Sequence, residues 1–251
     1  MSKKSLEINV YSLESAINAN LAGADRIELC SSMWEGGCTP SQGMIQAIQE
    51  KTTIPIHAML RPRGGDFTYS DSEKYVIQKE LDSLMEVNVS GIVTGILNPA
   101  GKLDKNFIKI LLKQAPKLEW TFHRAIDMTL DTEKVILELQ DLGFTRILTS
   151  GKHNKAIDGL ANLEKWVNIP NRTIQIMAGS GVSPENMIQF LSIGVDAVHM
   201  SAKRSRDSKM VFRNNKVSMG GSPGISEYLV YYSDLEIINK SVKILNKFNK
   251  N

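Results

Sequence analysis

The chain has 251 residues, of which 42% are hydrophobic and 23% charged, a globular balance that argues against a disordered protein. Its net charge of +3 is too small to argue for nucleic acid or an anionic membrane as partner. No apolar run approaches the ~20 residues of a membrane span, no leader is visible ahead of Leu6, and the two cysteines, Cys30 and Cys38, suit a reducing cytoplasm without a structural disulfide.

Short β-rich apolar segments alternate with longer amphipathic ones along the whole chain. The first strand is expected from Leu6 to Val10, and Ser12 caps a helix running through Leu21. A second strand covers Arg26 to Cys30, after which Pro40 and Ser41 open a helix to about Lys51. Pro55 to Leu60 is the third strand. Ser70 or Asp71 then opens a long helix to about Val87, whose Val76, Ile77, Leu81, Leu84 and Met85 follow a 3.6-residue period. Gly91 to Gly95 and Glu119 to Arg124 are the fourth and fifth strands, with a helix from Asp104 between them and another from Asp131 after them. Arg146 to Ser150 is the sixth strand, a helix begins at Ala156, and Ile174 to Gly179 is the seventh strand. Ser183-Pro184-Glu185 reads as a helix start, Ala197 to Ala202 as the eighth strand, and a last helix follows Asp234. Residues 203–230 are expected as one long loop, a length that points to function or assembly.

Strict alternation implies parallel strands with crossover helices. Eight such units in a chain of this length predict a single (β/α)8 TIM barrel over residues 1–251, with its site at the carboxyl ends of the strands. The dinucleotide fingerprint G-x-G-x-x-G is missing after the first strand, which disfavours an open doubly wound sheet.

Strand parity then sorts the side chains, because neighbours along a strand point to opposite faces. Ile8, Val10, Ile27, Leu29, Ala58, Leu60, Trp120 and Phe122 belong on the helix-facing side. That leaves Glu7, Asn9, Arg26, Glu28, Cys30, His57, Met59, Arg61, Thr121, His123, Gln175, Met177, His199 and Ser201 pointing inward. Barrels of this kind usually fill that space with Val, Ile and Leu. Polar groups placed there must pair with one another or bind something. A self-satisfied network, with Glu28 on His57 or Arg61, competes with a ligand pocket at the strand ends lined by Cys30, Met59, Arg61, His123, Met177 and Ser201, with Glu7, Glu28 and His57 one layer deeper.

Two further features carry alternatives. The basic run Lys203, Arg204, Arg206, Lys209, Arg213 and Lys216 is a solvated loop, an anion-binding rim or a subunit contact. Tyr228, Tyr231 and Tyr232 belong to the core, to an interface or to both.

The segments GADRIELCSSMWEGGCTPS, IHAMLRPRGGDFTYSD, TFHRAIDM, RILTSG, IMAGSGV and VSMGG resemble the CutC copper homeostasis family, over essentially the whole chain. The resemblance implies a TIM barrel, a cytosolic homo-oligomer (dimer or tetramer), and copper binding. The chain departs from the family at Met177-Ala178-Gly179-Ser180-Gly181-Val182, where the family often reads MPGGGV; Ser180 alters one backbone position of a candidate anion loop.

Cu(I) favours thiolate and thioether ligands and accepts imidazole. Cys30, Met59, Met177, His57, His123 and His199 supply such donors from different strands, and Cys30, Cys38, His57, Met59 and His123 are the candidate copper ligands, with Cys30 and Cys38 straddling the loop after the second strand. A TIM-barrel enzyme acting on a small phosphorylated or carboxylated metabolite is the alternative. In it Arg61 and Arg124 clamp an anion, His123 works as acid or base, and Glu28 orients that ring or acts as base. Gly179, Ser180 and Gly181 then offer backbone N–H groups to an anion.

Overall fold

The computed structural model describes residues 3–214, 216–217 and 225–250. Its first eight strands are β1 (Ser5–Val10), β2 (Arg26–Leu29), β3 (Ile56–Met59), β4 (Gly91–Thr94), β5 (Glu119–Phe122), β6 (Arg146–Thr149), β7 (Gln175–Ala178) and β8 (Ala197–Met200). They close into a barrel in chain order, each parallel to the next, with β8 returning to pair with β1. This is the expected TIM barrel.

Outside it lie helices α1 (Leu13–Ala22), α2 (Gln42–Lys51), α3 (Asp71–Glu86), α4 (Lys105–Gln114), α5 (Thr132–Leu142), α6 (Leu160–Val167), α7 (Met187–Ser192) and α8 (Leu235–Phe248). Six of them start where a short polar side chain satisfies an otherwise orphaned amide. Ser12, Ser41, Ser70, Asp104, Asp131 and Asp234 each accept the backbone N–H three residues on, a cap typically worth ~1 kcal/mol. At Ser70 the cap is reciprocal, since Glu73 reaches back to the Ser70 amide.

Three expectations need correction. The α7 helix starts at Met187 rather than at Ser183, because Ser183 donates its amide to Asn186 Oδ1 (2.9 Å) and closes a separate turn. Ala156 opens a 3-10 turn (Ala156–Gly159), and α6 begins only at Leu160. The supposed loop over 203–230 is framed by an antiparallel ribbon, β9 (Lys203–Asp207) with β10 (Leu229–Ser233). The wholly exposed β9 carries no apolar alternation to announce itself. This ribbon docks on α1: Ser233 donates its amide to Ser15 Oγ (2.9 Å), and Asn18 Nδ2 donates to the Ser233 carbonyl (2.9 Å). Ser218 to Gly221 of the VSMGG motif lie outside the described residues.

Parity divides the barrel as expected. Ile8, Val10, Ile27, Leu29, Ala58, Leu60, Trp120 and Phe122 join the large apolar layer between strands and helices. Among the described residues the interior holds two small apolar groups, Cys30 with Met59 and Val93, and Leu148 with Met177 and Ala197. The rest is ionic. Glu7 is fully buried and accepts from Arg26 Nε (2.5 Å) and from His199 Nδ1 (2.8 Å). At the amino end of the barrel Arg146 donates to Glu119 (2.6 Å) and lies 3.2 Å from His57 Nδ1.

Burial by itself would raise the Glu7 pKa, but Arg26, the His199 hydrogen bond and the neighbouring imidazolium charge together hold it well below the ordinary carboxylate range. Unfolded Glu7 therefore takes up its proton first as pH falls. Its stabilisation is complete above the unfolded value of 4.5 and is lost on acidification. Glu7→Gln leaves Arg26 without its carboxylate and is expected to cost ~3–5 kcal/mol in urea unfolding at neutral pH. The acid-side loss of stability should also be shallower than in the parent. An E7Q protein as stable as the parent would show that the buried pair holds nothing together.

Candidate functional site

The carboxyl ends of the strands enclose a cavity of about 150 Å³, with Glu28, Met59, Arg61, His123 and His199 in its wall and Arg124 at its rim. Among the described residues, three buried side-chain polar atoms have no hydrogen-bond partner in the protein: Glu28 Oε1, Arg61 Nε and His123 Nε2. All three residues line this one cavity. Unpaired buried polar atoms are rare because each forfeits hydration without compensation. Their convergence marks a place built to receive a ligand.

Each of the three is held by its neighbours. Glu28 Oε2 accepts from Asn9 Nδ2 (2.7 Å) and from the Cys30 thiol (3.6 Å), and lies 3.8 Å from His199 Nε2. Burial raises the Glu28 pKa; the His199 charge opposes this, and the Glu7 carboxylate behind it reinforces it. His199 is also raised: burial disfavours its charge, but Glu28 and Glu7 on either side win. With Oε2 occupied as an acceptor, the Glu28 proton belongs on Oε1, the unpaired oxygen.

His123 Nδ1 accepts the Ala125 amide (3.1 Å), so the neutral ring carries its hydrogen on Nε2. Burial, assisted by Arg61 and Arg124, lowers its pKa to about 3. The ring has room only because Gly95 lies beside it, where a Cβ would overlap the imidazole. Gly91 makes the same space for His57, whereas a Cβ at Gly179 would strike Leu148 and only crowd His199. Arg61 is gripped by carbonyls: Nη1 donates to Glu35 (2.8 Å) and Gly37 (3.0 Å), Nη2 to Gly65 (2.8 Å), and the guanidinium lies 5.1 Å from the Phe67 ring centre.

The expected site residues thus divide. Glu28, Arg61, His123, Met59 and Arg124 meet at the mouth. Arg124 is tied there to Asp127 (3.0 Å) and Ser150 (2.8 Å). Cys30 adjoins this group beneath Gly37, with its thiol pKa pushed well up by burial and by Glu28. His57 lies lower, against Arg146 and Glu119, where burial lowers its pKa to about 4. Glu28 therefore bonds neither His57 nor Arg61, and the orienting partner of His123 is the Ala125 amide rather than Glu28. Cys38 is a buried free thiol whose backbone pairs with that of Ser31. The Gly179–Gly181 loop is outside the mouth: Ser180 (φ 82°) donates Oγ to the Asn154 carbonyl and accepts the Ala156 amide (2.9 Å).

Asn9 is the functional neighbour that strand parity places inside without assigning it to the site; His199, expected among the soft-metal donors, lies instead between Glu7 and Glu28, and Tyr11 and Phe67 follow strands and escape any parity rule. Glu7, Glu28 and His199 also bring one ligand atom each within 4.8 Å of one another. This carboxylate–imidazole set suits harder cations than Cu(I).

Comparison with known proteins places this barrel. The family model described as the CutC family matches residues 4–204. The copper homeostasis protein cutC homolog of Homo sapiens is 40% identical over 247 residues, 98% of this chain and 89% of that protein. A solved Streptococcus agalactiae structure, described as a candidate copper homeostasis protein CutC, has a TM-score of 0.74 at 33% identity, covering 79% of this chain and 98% of its own. Thiamine phosphate pyrophosphorylase from Pyrococcus furiosus has a TM-score of 0.59 over 98% of this chain and 96% of its own, but at 16% identity it shares the fold alone. With the whole mouth inside the matched stretch, the chain belongs to the CutC family.

Proposed function

We propose that this protein serves copper homeostasis, the process its human relative is named for, and that its barrel mouth binds a small carboxylated or phosphorylated metabolite as an acid–base site. The observation that carries the second part is the convergence of three unpaired buried polar atoms on one cavity. At neutral pH His123 Nε2–H and Arg61 Nε–H are donors, and the raised pKa of Glu28 favours a third donor, its Oε1–H. Three donors around one small space suit an oxygen acceptor. Such a set stabilises negative charge growing on a carboxylate or carbonyl oxygen while Glu28 delivers or removes a proton.

Copper as cargo is a second reading, favoured by the Cys30–Met59 contact at the same mouth. Thiolate plus thioether is the ligand pair Cu(I) prefers. Loading releases the thiol proton, so it weakens as pH falls. His123 has its hydrogen on Nε2 and His57 lies beside Arg146, so neither joins that pair as it stands. The reading assigns the protein to the cytoplasm as a homo-oligomer, dimer or tetramer. Exposed Met210, Val211 and Phe212 beyond β9 support the assembly, and no helix among the described residues is long and apolar enough to cross a membrane.

Glycerate is expected to raise the melting temperature of the wild type, and His123→Ala to weaken its binding about tenfold, the worth of one lost hydrogen bond. Binding should also weaken as pH rises through the elevated Glu28 pKa, since the acid donates only while protonated. Glu28→Gln, whose amide donates at every pH, should flatten that dependence. Equal glycerate affinity in H123A, or a flat profile in the parent, would remove the donor-set model. For the cargo reading, anaerobic Cu(I) titration should show one equivalent lost in Cys30→Ser; unchanged uptake would exclude Cys30.

A further inference from the structure

A second chamber of about 200 Å³ adjoins the mouth, and Asn9 and Tyr11 belong to the walls of both. Its outer wall comes from the ribbon rather than from the barrel: Lys203, Tyr232 and Ser233, with Ser201 at the end of β8. That wall is fixed. Arg206 forms a two-pronged pair with Glu14 of α1, and the Ser233 amide and carbonyl are both bonded to α1 side chains.

The charges on the ribbon are unevenly matched. Arg204 pairs with Asp234 and Glu236, Arg206 with Glu14, and Arg213 with Asp207. Lys203 has no carboxylate partner among the described residues. Its ammonium lies 5.5 Å from the Trp34 ring centre and 5.4 Å from that of Tyr231, and these two rings meet edge to face at 5.1 Å. Ring faces attract and position a cation but leave its charge uncancelled. Lys203, held by two rings and left without a counter-charge, lines a chamber that Ser201 and Tyr232 also line, which is the equipment for an anion.

We infer that the chamber is a second subsite, which takes the phosphate end of a two-ended ligand whose carboxylate or carbonyl end occupies the Glu28–Arg61–His123 mouth. The inference rests on the mouth binding a small oxygen ligand and narrows that ligand to a short phosphorylated acid. The ribbon then has a functional role, because it supplies the cation that the barrel itself lacks at this position.

Glycerate and 3-phosphoglycerate form a matched pair of probes, identical except for the terminal phosphate. Calorimetric titration of the full chain is expected to show the phosphorylated acid binding about tenfold tighter or better, the worth of one added charge-assisted contact. Lys203→Met keeps an apolar stem on the two rings and removes the charge. It should bring the ratio of the two affinities close to one while leaving glycerate affinity unchanged, and Lys203→Arg should restore most of the ratio. Because Lys203 is exposed and holds no structural ion pair, the ligand-free melting temperature of K203M should match the parent. If glycerate binds but phosphate adds nothing, or the preference survives in K203M, the second subsite is wrong and the mouth reading stands. If glycerate itself fails to bind, both are overturned.

Discussion

The interior of this barrel is organised by the need to neutralise Glu7. A fully buried carboxylate survives ionised only if fixed positive charge meets it. Arg26 on β2 and His199 on β8 do so from the two strands that flank β1. The consequence runs upward. His199, its Nδ1 hydrogen committed to Glu7, presents Nε2 to Glu28. Glu28 then lies near one carboxylate and one cation, with Asn9 and Cys30 both donating to Oε2. Each partner at the floor thus limits the proton positions one layer higher, until only Oε1 faces the mouth.

Backbone shape cooperates with this order. Two of the buried histidines fill the space left by a glycine at a level position next door, His57 by Gly91 and His123 by Gly95, while Gly179 leaves room for Leu148 and, more loosely, His199. Strand register explains the match, since His57 pairs directly with Gly91, and the β4–β5 and β7–β8 ladders bring Gly95 and Gly179 level with His123 and His199. An imidazole pointing into a narrow barrel needs the opposite position empty. Glycine in a strand interior costs stability, and close approach of another group is a reason to keep it.

Much of this is legible in the sequence, for reasons that also explain the failures. Alternating greasy and polar positions determine which face Glu28, His57 and His123 occupy, because a one-residue slip would turn Ile27 into the barrel and press the ionic set against the helices. Capping serines and aspartates locate six helix starts. Parity alone says nothing about height along the axis; counting along the strands puts His57 a layer below the mouth, where that ring does lie against Arg146, but the same count puts Glu28 there although it lines the mouth. Parity also says nothing about who pairs with whom around the barrel. Sequence proximity offers Glu28 neighbours on β3, whereas its partners come from β1, its own strand and β8. Gly91 and Gly95 are a signal for where His57 and His123 sit, since each marks a bulky neighbour by its own lack of a side chain.

The two ligand readings meet on a single hydrogen bond. The Cys30 thiol donates to Glu28 Oε2 and so helps leave the carboxyl proton on Oε1. A soft cation on that sulfur would expel the thiol hydrogen, leaving Oε2 with only the Asn9 amide as a donor. The preference for a proton on Oε1 would then weaken, and with it the donor set that an oxygen ligand needs. Metal on Cys30 and an oxygen ligand on Glu28 are therefore not independent occupants of one cavity: either one alters the protonation that the other depends on, through 3.6 Å of shared contact.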